Sequence, residues 1–253
     1  MTNPFNEESV EDFIEDCVES DDRGPRRMSL TYSTQKDSKQ YITKIYYCEV
    51  QDKAYKSKYG AAKYLMESFK DVHRWFTDKK VEEHNLMYLV DFAYNPVIDT
   101  YYVTYEKKEG SLLDLIKKGT KFDENEIRSI VNDLLKALAY LYGDEGEEHL
   151  IHTFVAPEHI LYETTGNEER KYFLGGLEYC LTLEALLDDD FEKLKDNLGY
   201  HQKYHPCKFR NYSNGKIYPI VLAMICHTLY TQTIPTEYKE LNFREIEDKK
   251  DSK

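Results

Sequence analysis

From Asp123 to Tyr142 apolar residues recur at helical spacing. Ile127, Ile130, Val131, Leu134, Leu135, Leu138 and Leu141 predict an amphipathic helix with that face in the core. Asp123 with Glu126 forms a capping pair at its start, and Gly143 and Gly146 stop it. Leu150-Ile151 and Ile160-Leu161-Tyr162 then bracket a polar loop. Earlier in the chain the pattern is that of strands. Met28 to Thr34 and Gln40 to Val50 are rich in Tyr, Thr, Ile and Val, and residues 35–39 between them predict a hairpin. Residues 57–76 predict a helix, with Leu65, Phe69, Val72 and Phe76 along one side. Leu86 to Phe92 and Thr100 to Tyr105 predict strands around an Asn95-Pro96 turn. Beyond the loop, Leu183, Leu186, Leu187, Phe191, Leu194 and Leu198 again follow helical spacing, with Thr182 as cap and Gly199 as stop. Ile217 to Tyr230 is apolar nearly all round and predicts a buried helix, with Pro219 in its first turn.

A chain of 253 residues can form one large domain or two small lobes. Its net charge of −13, with acids spread along its length, argues against nucleic acid or an anionic membrane as the main partner. No stretch has the apolar length of a membrane span; Ile217 to Tyr230 is too short and contains His227. The acidic N-terminus does not read as a signal peptide. Residues 1–27 read as an acidic arm, mobile or partner-bound, and residues 239–253 as a charged tail. Five widely spaced cysteines (Cys17, Cys48, Cys180, Cys207 and Cys226) suggest free thiols in a reducing, cytoplasmic setting. The 23 tyrosines fit either codon bias or interface use. His201, His205 and Cys207 offer zinc-type ligands but lack a fourth, and Asp188-Asp189-Asp190 reads as a solvated helix face, so no metal site is expected.

The segment His152-Thr153-Phe154-Val155-Ala156-Pro157-Glu158-His159-Ile160-Leu161, after its long helix, resembles the catalytic-loop region of protein kinases. His152, Pro157, Glu158, Ile160 and Leu161 match that family's pattern. Phe154 stands where the family has its catalytic Asp, Ala156 where it has the loop Lys, and His159 where it has a metal-binding Asn. Gly110-Ser111-Leu112, after Glu106 to Glu109, resembles the kinase hinge and the helix after it. Lys171 to Leu177 lies where the family has a strand ending in Asp-Phe-Gly, so Gly175 replaces the Mg²⁺-holding Asp. Pro206-Cys207 falls where kinases close the activation segment with Ala-Pro-Glu. Ile217 to Pro235 resembles the central buried helix, with Tyr218 in place of an Asp that normally holds the catalytic loop. Tyr41-Ile42-Thr43-Lys44 lies over the Val-Ala-Ile-Lys strand. Lys44 is then the candidate phosphate contact and Glu67 its candidate partner; the alternative for each is a solvated surface charge. Only Gly24 is available for a Gly-rich phosphate loop.

The resemblance implies an α+β, protein kinase-like bilobal fold. A five-stranded, β-rich small lobe would occupy residues 28–105. A mainly helical large lobe would occupy residues 106–238, truncated after the central helix. It also implies a pseudokinase, since base, metal ligands, loop Lys and Gly-rich loop are all absent, and kinase catalysis is positioning plus electrostatics around Mg²⁺. The expectation is a protein without phosphoryl transfer and without cofactor, acting as a scaffold or structural subunit. Its protein partners would cover the large lobe around Ile217 to Tyr230. The alternatives are a nucleotide-binding regulatory protein using Lys44 and Glu67 without metal, and a component of a cytoskeletal or ciliary complex.

Overall fold

Tyr, Thr, Ile and Val suit the pleated surface of a sheet, and the strand-patterned half of the chain builds one. Strands β1 (Ser29–Lys36), β2 (Lys39–Tyr47), β3 (Leu89–Asn95) and β4 (Thr100–Glu106) form an antiparallel sheet in the order β1-β2-β4-β3. The computed structural model describes residues 29–36, 38–48, 56–143, 149–166, 168–187 and 217–231. Among them this sheet has four strands, where five were expected. The acidic arm, the charged tail, Asp188-Asp189-Asp190, His201, His205 and Cys207 lie outside the described residues.

The β1–β2 hairpin is tighter than the sequence pattern implied. Ser38 adopts a left-handed conformation (φ 65°), so the strands pair as far as Lys36 opposite Lys39. Residues 35 and 36 therefore belong to the strand and not to the turn. Register then fixes which side chains share a face. Lys44 lies opposite Val103, Tyr46 opposite Tyr101, and Ile42 opposite Tyr105. Since strand side chains alternate, Lys44, Tyr46, Tyr101, Val103 and Tyr105 point to the same side.

Helix α1 (Lys56–Val72) packs on β2 and continues as a 3-10 turn, His73–Phe76. Leu65, Phe69, Val72 and Phe76 are buried, as their spacing predicts. Phe69 stacks on Phe76 at 6.1 Å and meets Phe92 edge-on at 5.3 Å. Leu86, expected in a strand, instead precedes β3 and forms an isolated parallel bridge with Leu174. Asn85 beside it is buried with φ 61°; its amide donates to the Tyr172 carbonyl at 2.8 Å, and its own carbonyl accepts from the Leu174 N–H at 2.7 Å. An Asn tolerates that backbone region and brings its own hydrogen-bonding groups.

The remaining elements are built around the long helix. Strand β5 (Gly110–Ser111) leads into α2 (Leu112–Lys117), whose start carries a capping box between Ser111 and Asp114. Helix α3 (Glu124–Tyr142) is capped by Asp123, whose carboxylate accepts from the Glu126 N–H at 2.8 Å. Ile130, Leu134, Ala137, Leu138 and Leu141 form its buried face, while Leu135, expected in the core, is 47% exposed. Strands β6 (Leu150–His152), β7 (Ile160–Thr164), β8 (Arg170–Leu174) and β9 (Cys180–Thr182) follow. They form a three-stranded sheet, β5-β7-β8, and a two-stranded one, β6-β9. Thr182 caps α4 (Leu183–Leu187), accepting from the Ala185 N–H; the rest of the helix predicted to run to Leu198 lies outside the described residues. Helix α5 (Ile217–Thr231) contacts α3 and buries Val221, Leu222, Met224, Ile225 and Leu229. No helix among the described residues is long and apolar enough to cross a membrane. The whole is a mixed α and β structure, compatible with a kinase-like small lobe in its first part.

Phe69 is fully buried between α1, the 3-10 turn and β3. Phe69→Ala is expected to cost about 3–5 kcal/mol through lost contacts and a cavity, read as the shift in urea midpoint. A loss below about 1 kcal/mol would contradict this packing.

Candidate functional site

The polar loop after β6 is held by its own histidine. A carbonyl oxygen only accepts, so the contact between His152 Nε2 and the Gly175 carbonyl, 2.9 Å, puts a proton on Nε2. Nδ1 then accepts from the Phe154 N–H at 3.2 Å. The His152 N–H donates to the Tyr218 hydroxyl at 3.1 Å. Tyr218, which replaces an Asp in the kinase pattern, thus still ties α5 to this loop. Burial lowers the His152 pKa to about 4, so the ring is neutral.

The residues that depart from the kinase pattern fill space. Phe154 is 4% exposed and lies edge-on to His159 (4.8 Å) and to Tyr179 (5.2 Å). Ala156 is buried. His159 stacks on Tyr179 at 5.1 Å, and its Nδ1 contacts the Phe154 carbonyl at 3.0 Å. Burial and the nearby Lys44 charge lower its pKa to about 3. The Gly175 N–H donates to the His159 carbonyl at 2.7 Å. Gly176 has φ +67°, and a Cβ there would come within 2.7 Å of His159 Nδ1. Only glycine suits both that backbone angle and that approach.

Immediately after this Gly-Gly pair the chain makes a 3-10 turn, Leu177–Tyr179, which places Glu178 under the four-stranded sheet. Its carboxylate is fully buried and pairs with the Lys44 ammonium. It also accepts from the Tyr46 hydroxyl at 2.7 Å and from the Tyr105 hydroxyl at 2.6 Å. Burial alone would favour the neutral acid. The Lys44 charge and the three donors outweigh it, and the pKa falls to about 2. The two tyrosines move the other way: burial first, and then the Glu178 charge, raise them well above the usual range.

The expected partner of Lys44 is not brought to it. Glu67 is exposed on α1, and its charge acts on Cys48, Lys63 and Tyr101. Glu178 takes that place. The sequence reading passed over Glu178, although it is the one acid in the apolar run from Tyr172 to Leu181. Tyr46 could have been found as well, since it shares a strand face with Lys44.

Lys44 and His159 border a cleft of about 370 Å³ between the four-stranded sheet and the segment that carries β5, β7 and the Gly175-Gly176 turn. Ile42, Met87 and Leu161 supply apolar walls, and Lys107 and Lys108 lie at the connection from β4 to β5. The Lys108 amine is engaged, bonding Glu82 at 3.0 Å and Glu163 at 2.8 Å over the Phe173 ring. Among the described residues no group of three or more His, Cys, Asp or Glu side chains is placed to hold a metal ion.

No family model matches this chain. Curated proteins match part of it. The MAP kinase kinase kinase wis4 of Schizosaccharomyces pombe is 30% identical over 104 residues, covering 37% of this chain and 7% of that protein. The STE20-related kinase adapter protein strd-1 of Caenorhabditis elegans is 33% identical over 94 residues, covering 36% of this chain and 22% of that protein. Calcium-dependent protein kinase 6 of Plasmodium berghei is 31% identical over 97 residues, covering 38% and 6%. The chain therefore spans less than a quarter of the length of these relatives. These partial likenesses point to a kinase-like relationship over little more than a third of the chain.

Two outcomes follow from the buried charges. Glu178→Ala strands the Lys44 ammonium without its carboxylate and is expected to cost about 3–5 kcal/mol. The double variant Lys44→Met/Glu178→Met, which removes both charges, is expected to recover most of that loss in the same denaturation experiment. Stability should also fall as the solution is acidified. Unfolded histidine binds a proton below about pH 6.5, whereas folded His152 and His159 do so only near 4 and 3. The unfolded state binds more protons throughout that window, so their contribution is complete above about 6.5 and is lost as pH falls towards the folded values. For His152 this is on the order of 3 kcal/mol. Glu178 adds a loss at lower pH, from its ordinary value of 4.5 down to about 2. A urea midpoint unchanged between about pH 7.5 and pH 5 would contradict a neutral, buried His152 beside a neutral, part-buried His159.

Proposed function

We propose that this chain is a kinase-like protein of bilobal architecture that transfers no phosphate and serves as a scaffolding or binding subunit of a larger protein assembly. The loop carries this reading: Phe154, 4% exposed and packed against His159 and Tyr179, cannot accept a proton, and the neutral His159 is a poor ligand for Mg²⁺, which prefers oxygen. What the loop retains are groups that hold its shape, such as His152, Gly176 and Tyr218. The adapter among the matched proteins, named for a role other than catalysis, is in keeping with this. Helix α5, with Tyr230 81% exposed at its end, is the surface assigned to a protein partner.

Incubation with labelled ATP, Mg²⁺ and a generic acceptor protein is expected to give no transfer above a blank. The tagged chain, sedimented from an extract of its native source, is expected to travel at constant stoichiometry with other proteins. Mg²⁺-dependent transfer abolished by Lys44→Ala would reject the catalytic half of the proposal. Sedimentation as a lone monomer would reject the assembly half.

A further inference from the structure

Lysine is seldom buried unless its charge is met, and the Lys108 side chain is 7% exposed. It stands on the connection from β4 to β5, where the chain leaves the four-stranded sheet for the β5-β7-β8 sheet. Its amine bonds Glu82 at 3.0 Å and Glu163 at 2.8 Å, and lies 4.0 Å from the centre of the buried Phe173 ring. Glu82 belongs to the 3-10 turn Lys79–His84 that precedes β3, and Glu163 to β7. The backbone on either side of Lys108 is fastened as well. The Lys107 N–H donates to the Gln40 carbonyl on β2 at 2.9 Å, and the Glu109 N–H donates to the Tyr162 carbonyl on β7 at 3.1 Å. The Glu109 carboxylate accepts from the Thr164 N–H at 2.6 Å and from the Thr164 hydroxyl at 2.9 Å.

These contacts gather at the base of the β3–β4 pair. The chain enters that pair through Asn85 and Met87 and leaves it through Lys107, Lys108 and Glu109. The entry is fastened to β8: Asn85 bonds Tyr172 and Leu174, the Met87 N–H donates to the Leu174 carbonyl at 3.0 Å, and the Lys171 amine donates to the Glu82 carbonyl at 3.0 Å. Lys108 ties the exit to the entry through Glu82 and to β7 through Glu163. A movement of the connection away from the β5-β7-β8 sheet must part this amine from at least one carboxylate, and hydrogen bonds between charged groups are the stronger kind. Two other cations are near. Lys79 is 4.0 Å from Glu82, and Lys171 lies opposite Glu163 in the β7–β8 register. Neither stands on the connection, so neither can hold it down in place of Lys108. The fastening shares no residue with the Lys44–Glu178 pair.

We propose that Lys108 is a clasp: held between Glu82 and Glu163, it keeps the β4–β5 connection docked on the β5-β7-β8 sheet, and the joint between the two sheets opens locally when its charge is removed or when Glu163 is taken from it. The two arms of the clasp differ in access. Glu82 is 18% exposed and Glu163 is 41% exposed, so Glu163 is the arm that can be drawn off from outside. The inference goes beyond the scaffold reading and is decided separately, since opening of this joint is measured on the chain alone, whether or not it transfers phosphate or has a partner.

The test is hydrogen–deuterium exchange of the full chain, read by mass spectrometry on peptides spanning residues 107–110 and 162–164, with α3 as the reference. In the unaltered chain both peptides are expected to exchange slowly, as α3 does. Lys108→Met keeps an unbranched stem against Phe173 and removes the charge. It is expected to speed exchange in both peptides by about tenfold or more, the equivalent of a lost charged hydrogen bond, and to leave α3 unchanged. Glu163→Gln, which leaves Lys108 with Glu82, is expected to give a smaller rise in the same two peptides. A lysine that merely fills space would, when replaced, weaken the whole fold and speed α3 alongside them. Should Lys108→Met not fold, Glu163→Gln decides on the same peptides. Fast exchange at the joint in the unaltered chain, no rise there in a variant that folds, or an equal rise in α3 would each overturn the proposal.

Discussion

An ionised carboxylate taken out of water has to be met by charge and by hydrogen-bond donors, or the structure around it does not persist. Glu178 is such a group, fully buried, and its three donors come from two neighbouring strands. Lys44 and Tyr46 are two positions apart on β2, and Tyr105 comes from β4, where it faces Ile42. The β2–β4 register must therefore be right before the cluster can form. A slip of one residue would turn Lys44 and Tyr46 to the opposite side of the sheet. On the other side, Glu178 is positioned by the 3-10 turn after Gly175-Gly176, and that turn leads into β9, which pairs with β6. One buried charge thus fixes the sheet, the turn and the loop relative to one another.

The surroundings of the loop follow from the same constraint. With Lys44 held by Glu178, its charge lies close enough to disfavour protonation of His159, and burial acts in the same direction. The imidazole stays neutral and packs as a flat ring between Tyr179 and Phe154. Phe154 packs against both rings and is part of the apolar interior. Gly176 lets that packing close, because any side chain there would collide with His159. The loop is held by packing around Phe154 and His159 and by hydrogen bonds from His152 and the Gly175 backbone.

Several elements are written plainly in the residue pattern. The faces of α1 and α5 are dense in large apolar side chains, and burial follows their spacing. For α3 the pattern is right and the edge of the face is wrong. Leu135 lies one residue, about 100°, beyond Leu134. The elements that cover α3, namely β6, β8 and α5, meet the side holding Ile130, Leu134, Leu138 and Leu141. They reach Ala137 and leave Leu135 outside, because burial depends on what the neighbours cover as well as on apolarity. The turn at Ser38 was also misjudged, since its left-handed backbone is allowed by the hairpin and not announced by the residue type.

The sequence by itself determined the order and kind of the longer elements, the amphipathic faces, the capping residues Asp123 and Thr182, and the absence of an acid from the loop at Phe154, Ala156 and His159. These are local properties, legible wherever side-chain periodicity and backbone preference act over a few residues. Which carboxylate meets Lys44 was decided only in the tertiary structure. Glu67 sits on a helix as the pattern requires, yet it faces outwards, while Glu178, 134 residues from Lys44 along the chain, is carried into the interior by a turn. Electrostatic partnership depends on distance in space, and spacing along a sequence does not encode it.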